Sequence, residues 1–371
     1  MKLFCFILSL LFFSTLFSQQ YYLLVGTYTD AGSEGIYVYD FNIQTGESKL
    51  VNKVASKNPS YLAPSQNGKY VYAVNENGGN EPGTVSAFAF NKSNGSLTFL
   101  NSKTTSGDHP CYITINKKST HVIVGNYSGG NLAVFPVLKN GSLDNASQLI
   151  THMGKSVNKE RQEKSHVHAV VFSPNEKQLY VPDLGIDKVL AYSFNPAQPK
   201  PLKELIGHHI AVPPGSGPRH FLFHPNRPFA YLIEELTGTV SSYRYQNGRL
   251  RFLQRTSSYS KDYKGVLSSA DIHISPEGDN LYTSNRGNAN DIGIFVIEPS
   301  IGTIRLKASH PSGGVKPRNF MIDPSGNFIL VANQDSDNIV VFRRNKSTGL
   351  LDPTGQEIKV PNPVCLQMIR K

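Results

Sequence analysis

One histidine, one glutamate and three arginines stand at matched places along this chain: His168, Arg219, Glu235, Arg286 and Arg318. An imidazole titrates near neutral pH, guanidinium groups hold negative charge, and a carboxylate can orient either. Together such groups can move a proton beside an anionic centre. They are distant in sequence, so their meaning depends on the elements that carry them. Arg219 and Glu235 belong to the run GPRHFLFHPNRPFAYLIEE, Gly217 to Glu235. Two strands, Arg219 to His224 and Phe229 to Glu234, joined by the turn HPNRP, would bring the start of the first beside the end of the second.

That run is one copy of a repeat. The same unit starts at Pro59, Pro110, Val167, Pro218, Ser269 and Pro317, and the residue sixteen places on is Asn75, Asn126, Asp183, Glu234, Asn285 and Asn333. Inside each unit lies a tight-turn sequence: PSQNG, NKKST, SPNEK, HPNRP, SPEGD or DPSGN. A third strand follows each unit (TVSAFAF, NLAVFPV, KVLAYSF, TVSSYRY, IGIFVIE, NIVVFRR), and several units add a fourth after an N-x-x-G-x-L turn. Short strands in groups of four, a period of about fifty residues and no helical periodicity describe an all-β propeller. Tyr22 to Leu50 lacks an innermost strand and Val364 to Ile369 supplies one, which predicts seven blades closed by pairing the C-terminal strand with the N-terminal blade.

In this frame the residue after each start is Ser60, Cys111, His168, Arg219, Ala270 or Arg318, and the residue after each unit's end is Glu76, Tyr127, Leu184, Glu235, Arg286 or Gln334. Both sets fall at one end of the ring, so the five polar residues should converge at the channel mouth. Two insertions, Thr151 to Ser165 and Arg255 to Ser268, reach the same end and are expected to wall the pocket, with their lysines and Arg161 as a basic rim. His166 and His168 could share a strand face, but no third ligand is identifiable and no metal is expected. His208, His209, His220, His224 and His273 read as structural histidines.

Composition narrows the function classes. Residues 1–18, MKLFCFILSLLFFSTLFS, have the layout of a cleavable export leader, with an apolar core shorter than the roughly 20 residues a spanning helix needs. Residues 19–371 are then one propeller domain, exported to the periplasm or beyond, with no stable membrane insertion. Cys111 and Cys365 follow the starts of different repeats and are expected to be free, buried thiols. The net charge of +10 suits anionic partners, small carboxylates and phosphates or polymers, or simply a solvated surface, and no Lys/Arg block points to nucleic acid. With no G-x-G-x-x-G, P-loop or G-x-S-x-G motif, no cofactor is expected.

The segments RQEKSHVHAVVFSPNEKQLYVPDLGIDKV, GPRHFLFHPNRPFAYLIEEL, SADIHISPEGDNLYTSNRG and KPRNFMIDPSGNFILVANQ resemble the seven-bladed lactonase family of 6-phosphogluconolactonases and carboxymuconate cyclising enzymes. The resemblance implies lactone chemistry without an obligate cofactor. It places catalytic residues at His168, Arg219, Glu235 and Arg286, and supporting, substrate-binding positions at Asp183, Asp271 and Arg318. Ser165 stands where the family's Pro-His-x-His motif has proline, and Glu234 where it has asparagine. For ring opening, His168 would activate water, with Glu235 orienting it or substituting for it; Arg219 would stabilise the oxyanion, and Arg286 and Arg318 would hold the substrate's anionic group. A muconate-type lactonising cycloisomerase and a non-catalytic glycan- or protein-binding propeller are the alternatives.

Overall fold

The computed structural model describes residues 20–371; the expected leader lies outside the described residues. Seven antiparallel sheets correspond one to one with the seven repeats. Blades 1 to 6 begin at the innermost strands Leu62–Pro64, Pro110–Ile115, Val171–Phe172, Pro218–Phe223, Ser269–Ile274 and Pro317–Ile322. Blade 7 is composite: Pro363–Arg370 is its innermost strand and pairs with Gln20–Thr27, from Tyr21 opposite Arg370 to Thr27 opposite Pro363. Blade 3 carries a fifth short strand, Ile210–Ala211. Cys111 and Cys365 are free and buried. No helix among the described residues is long and apolar enough to cross a membrane.

The second strand of each blade shows how the sequence produces the stacking. In blade 4, Phe229–Glu234 is buried along its whole length because both of its faces are covered. Phe229, Tyr231 and Ile233 pack against Ile272, Leu281 and Phe295 of blade 5, while Ala230 and Leu232 pack against Tyr180 and Val189 of blade 3. The near-continuous apolar run is therefore that of a strand with no solvent face. Seven such cores, one at each blade junction, hold the ring together.

Buried tyrosines on these second strands also hold neighbouring blades in register. The hydroxyls of Tyr72, Tyr180, Tyr231 and Tyr282 donate to the carbonyls of Gly141, Gly248, Gly302 and Gly349 at 2.9, 3.0, 3.1 and 2.8 Å. Each glycine lies in the outer turn of the next blade and has positive φ, so its carbonyl is presented without a side chain in the way.

Candidate active site

A local irregularity at the start of most innermost strands builds the site. In blade 4, Pro218 pairs with Glu234 and His220 with Ile233, so Arg219 has no partner and bulges from the ladder. Cys111, Arg318 and Val364 are skipped in the same way in blades 2, 6 and 7, and Ala270 and Asp271 in blade 5. In blade 3 only Val167 bridges to Asp183 before pairing resumes at Val171, which frees His168. A bulge turns an extra side chain out of the pleat. Repeated around the ring, it lines the axis with Ser60, Cys111, His168, Arg219, Arg318 and Val364.

A second ring lies above the first. The backbone N–H of Tyr28, Glu76, Tyr127, Leu184, Glu235, Arg286 and Gln334 donates to the carbonyl of residue 362, 58, 109, 166, 217, 268 and 316 respectively, at 2.7–3.1 Å. Five of the accepting residues, Asn58, His109, Gly217, Lys316 and Asn362, have positive φ, which turns the chain sharply into the bulge. Side chains of both rings enclose a pocket of about 270 Å³, lined by Tyr28, Glu76, Cys111, Tyr127, Arg161, His168, Glu235, Arg286 and Arg318.

Glu235 is the hub of one wall. Arg219 Nε donates to its Oε2 at 2.9 Å, Arg161 Nη2 to its Oε1 at 2.6 Å, and Arg286 Nη2 lies 3.0 Å from Oε2. Burial alone would raise its pKa, but Arg286, Arg219, His168 and Arg161 hold the carboxyl well below its ordinary 4.5. Burial first, and Arg286 second, pull Arg219 down to about 10, which leaves it charged at neutral pH. Its Nη1 donates to the Ala270 carbonyl at 2.5 Å and to His220 Nε2 at 3.1 Å, so Nη2 remains without a hydrogen-bond partner among the described residues.

His168 stands between the walls, Nε2 at 3.8 Å from Glu235 Oε2 and Nδ1 at 3.7 Å from Cys111 Sγ. Burial and the charge of Arg219 depress its pKa well below 6.5, so the imidazole is neutral at physiological pH. On the opposite wall, Glu76 accepts hydrogen bonds from Tyr28 Oη at 2.9 Å and from Ser60 Oγ. Arg318 lies over the Tyr28 ring, 5.3 Å from its centroid, with Nη2 3.9 Å from Glu76. Among the described residues it makes no protein hydrogen bond, so its guanidinium faces the pocket with its donors available.

Five of the seven expected site residues thus meet, and Arg219 reaches the pocket through Glu235. Asp183 and Asp271 do not line it. Asp183 is fully buried, accepting from His152 Nδ1 at 2.8 Å, Ser165 Oγ at 2.5 Å, and the backbone of His166 and Gly185 at 2.8 and 3.0 Å. It caps a turn, the ordinary work of an aspartate at a strand end. Asp271 lies behind the ring, accepting from His220 Nδ1 at 2.7 Å, His273 Nε2 at 3.0 Å and Asn319 Nδ2 at 2.5 Å. Direct substrate contact, expected for both, does not fit these positions. Glu234 is likewise consumed inside blade 4, by Arg255, Thr239 and Ser241.

The insertions also divide. Thr151 to Ser165 forms a wall and delivers Arg161, whose Nη2 also donates to Tyr127 Oη at 3.2 Å. Arg255 to Ser268 does not line the pocket: Ser257, Tyr259 and Lys261 border a larger groove of about 710 Å³ on the flank, with Ile301 and Arg305 of blade 5. That groove is lined by Lys261, Glu298 and Arg305 among uncharged residues, whereas the smaller pocket gathers His168, Glu235, Arg286 and Arg318. His166 does not point with His168: its ring stacks on Tyr127 at 4.5 Å and contacts Glu163 at 3.1 Å. Among the described residues no three metal-ligating side chains are grouped. Tyr28, Glu76 and Tyr127 were not singled out from sequence, although Glu76 and Tyr127 share the slot of Glu235. His220, read as structural, borders the channel and contacts Arg219.

Residues 22–368 match the family model described as "Lactonase, 7-bladed beta-propeller". The chain belongs to this seven-bladed lactonase family. It is 41% identical over 349 residues to a protein named 6-phosphogluconolactonase from Formosa agariphila, covering 93% of this chain and 99% of that one. A protein of the same name from Bacillus subtilis is 34% identical, with 94% and 98% covered. The structure of a periplasmic gluconolactonase from Pseudomonas aeruginosa superposes with a TM-score of 0.90 at 36% identity, covering 94% of this chain and 99% of that chain. These members of the lactonase family span the whole ring, so the likeness includes all seven blades.

Proposed function

We propose that this lactonase-family protein opens the ring of an anionic sugar lactone, of the 6-phosphogluconolactone type, by water attack in the pocket at the ring mouth. The observation that carries this reading is a buried, neutral His168 set between the arginine-held Glu235 and the available donors of Arg318. His168 takes a proton from water as the water oxygen bonds to the carbonyl carbon. Arg219, from the channel side, stabilises the oxyanion through Nη2, its one nitrogen without a hydrogen-bond partner among the described residues; when the oxyanion collapses, the ring C–O bond breaks and the leaving alkoxide takes the proton from the imidazolium. Glu235 is too strongly held as a carboxylate to serve as the base, and instead fixes Arg219, Arg286 and Arg161 in place. Arg318 and Arg286 hold the substrate's anionic group.

A panel of sugar lactones in a pH-stat tests this reading. Catalysed acid release that is faster with a phosphorylated lactone than with its neutral counterpart supports it. Saturable binding of sugars with no acid release from any lactone would favour the non-catalytic binding propeller. We further propose that the protein acts outside the cytoplasm. The leader-like residues 1–18 and the likeness to a periplasmic gluconolactonase support export; retention of the full chain in the cytoplasmic fraction would refute it.

A further inference from the structure

Below the pocket, on the ring axis, is a second cavity of about 10 Å³. It shares Cys111, His168 and Arg318 with the pocket above and adds Arg219 and His220. A space this small takes one water and no part of a sugar. The bulge residues explain why it exists. Ser60, Cys111 and Val364 are short and leave a gap opposite the longer His168, Arg219 and Arg318.

A water held there needs two to four polar partners. His220 has none to offer, because Nδ1 meets Asp271 and Nε2 meets Arg219. Asn319, also on the wall, gives one Nδ2–H to Asp271 and accepts the Leu366 N–H at Oδ1, which leaves it a single further donor. Arg219 Nη2, the Arg318 guanidinium and the His168 imidazole retain free capacity. Two cationic donors and one basic acceptor are the set that favours a water losing its proton.

We propose that this axial cavity is the site of the nucleophilic water, so that attack comes from the channel side onto a lactone held in the pocket above. The proposal rests on the lactonase reading and adds the location and approach of the nucleophile. The water's oxygen forms the new bond to the carbonyl carbon, its proton passes to His168, and the ring oxygen leaves with that proton.

Val364→Met tests it by extending a non-catalytic side chain of the closing strand into the cavity. The expected result is a loss in kcat of about 100-fold or more, the scale of a misplaced reacting group, with KM changed by less than about threefold. Wild-type kcat, with the methionine seen to fill the cavity, would overturn the proposal. His168→Ala is assayed alongside: if it too is fully active, base-assisted hydrolysis itself fails, whereas if it is inactive while Val364→Met is active, only the water site falls. If Val364→Met does not fold, a high-resolution crystal structure of the unaltered protein decides. One ordered water within hydrogen-bond distance of Arg219 and Arg318 supports the site, and a cavity with no such water overturns it.

Discussion

Arg219 donates to Glu235 across the first two strands of blade 4, Nε to Oε2 at 2.9 Å, and that carboxylate is also bound by Arg161 and Arg286 from a loop and from the next blade. One carboxylate therefore joins three guanidiniums that would otherwise repel each other in a buried wall. Its removal should be felt in stability as well as in turnover.

Glu235→Gln is expected to destabilise the fold by about 3–5 kcal/mol, the usual cost of stranding a buried charge. The pH dependence has a defined sign. A carboxyl whose folded pKa is depressed contributes its full stabilisation above 4.5 and loses it progressively as pH falls below that value. Urea denaturation of both proteins across the acidic range should show the gap closing as pH drops; a gap independent of pH would contradict this account.

His168 titrates with the opposite charge change but the same stability sign. Because its folded pKa lies below 6.5, the unfolded chain binds the extra proton first, and stability falls as pH drops below 6.5. For catalysis, kcat/KM should stay level from neutral pH through 6.5 and decline only well below it, after subtraction of spontaneous ring opening. A decline centred at or above 6.5 would mean that another group is the base.

Arg219→Lys keeps the charge but loses the planar fork that meets Glu235, His220 and the Ala270 carbonyl at once. A loss in kcat of about 10²–10³-fold is expected, as for removal of an oxyanion donor. Steady-state kinetics showing only a raised KM would assign Arg219 to binding.

Deleting residues 363–371 removes the innermost strand of blade 7, and with it the partner of Gln20–Thr27 and part of the cores on both sides. The truncated chain should aggregate or melt well below the intact protein, because the ring then ends in an unpaired strand edge. An unchanged thermal midpoint would show that closure is dispensable.

The propeller was legible because its period is long and its turns are chemically explicit; once the period is known, seven-fold repetition carries His168, Arg219 and Arg318 to one axis. Asp183 and Asp271 came as substrate-binding positions from the family resemblance and not from the repeat frame, and neither fixes where their side chains point. A repeat frame gives the height of a residue in the ring, whereas the direction of its side chain depends on bulges that shift the pleat by one residue. In blade 5 the bulge spans Ala270 and Asp271, and the aspartate ends up behind the ring. Arg161 belongs to an insertion, which the sequence places at the pocket rim, but residues outside the repeat frame could not be paired with Glu235 in advance. Glu76 and Tyr127 were within reach, since they occupy the slot that made Glu235 conspicuous.

The central claim is most directly tested by the initial rate of acid release from 6-phosphogluconolactone in a pH-stat, measured at neutral pH for the unaltered protein and for His168→Ala. The account predicts release well above spontaneous ring opening for the first, and a loss of about 10²–10⁴-fold for the second, the range for a missing general base. Release no faster than the spontaneous reaction, or undiminished turnover by His168→Ala, would contradict it.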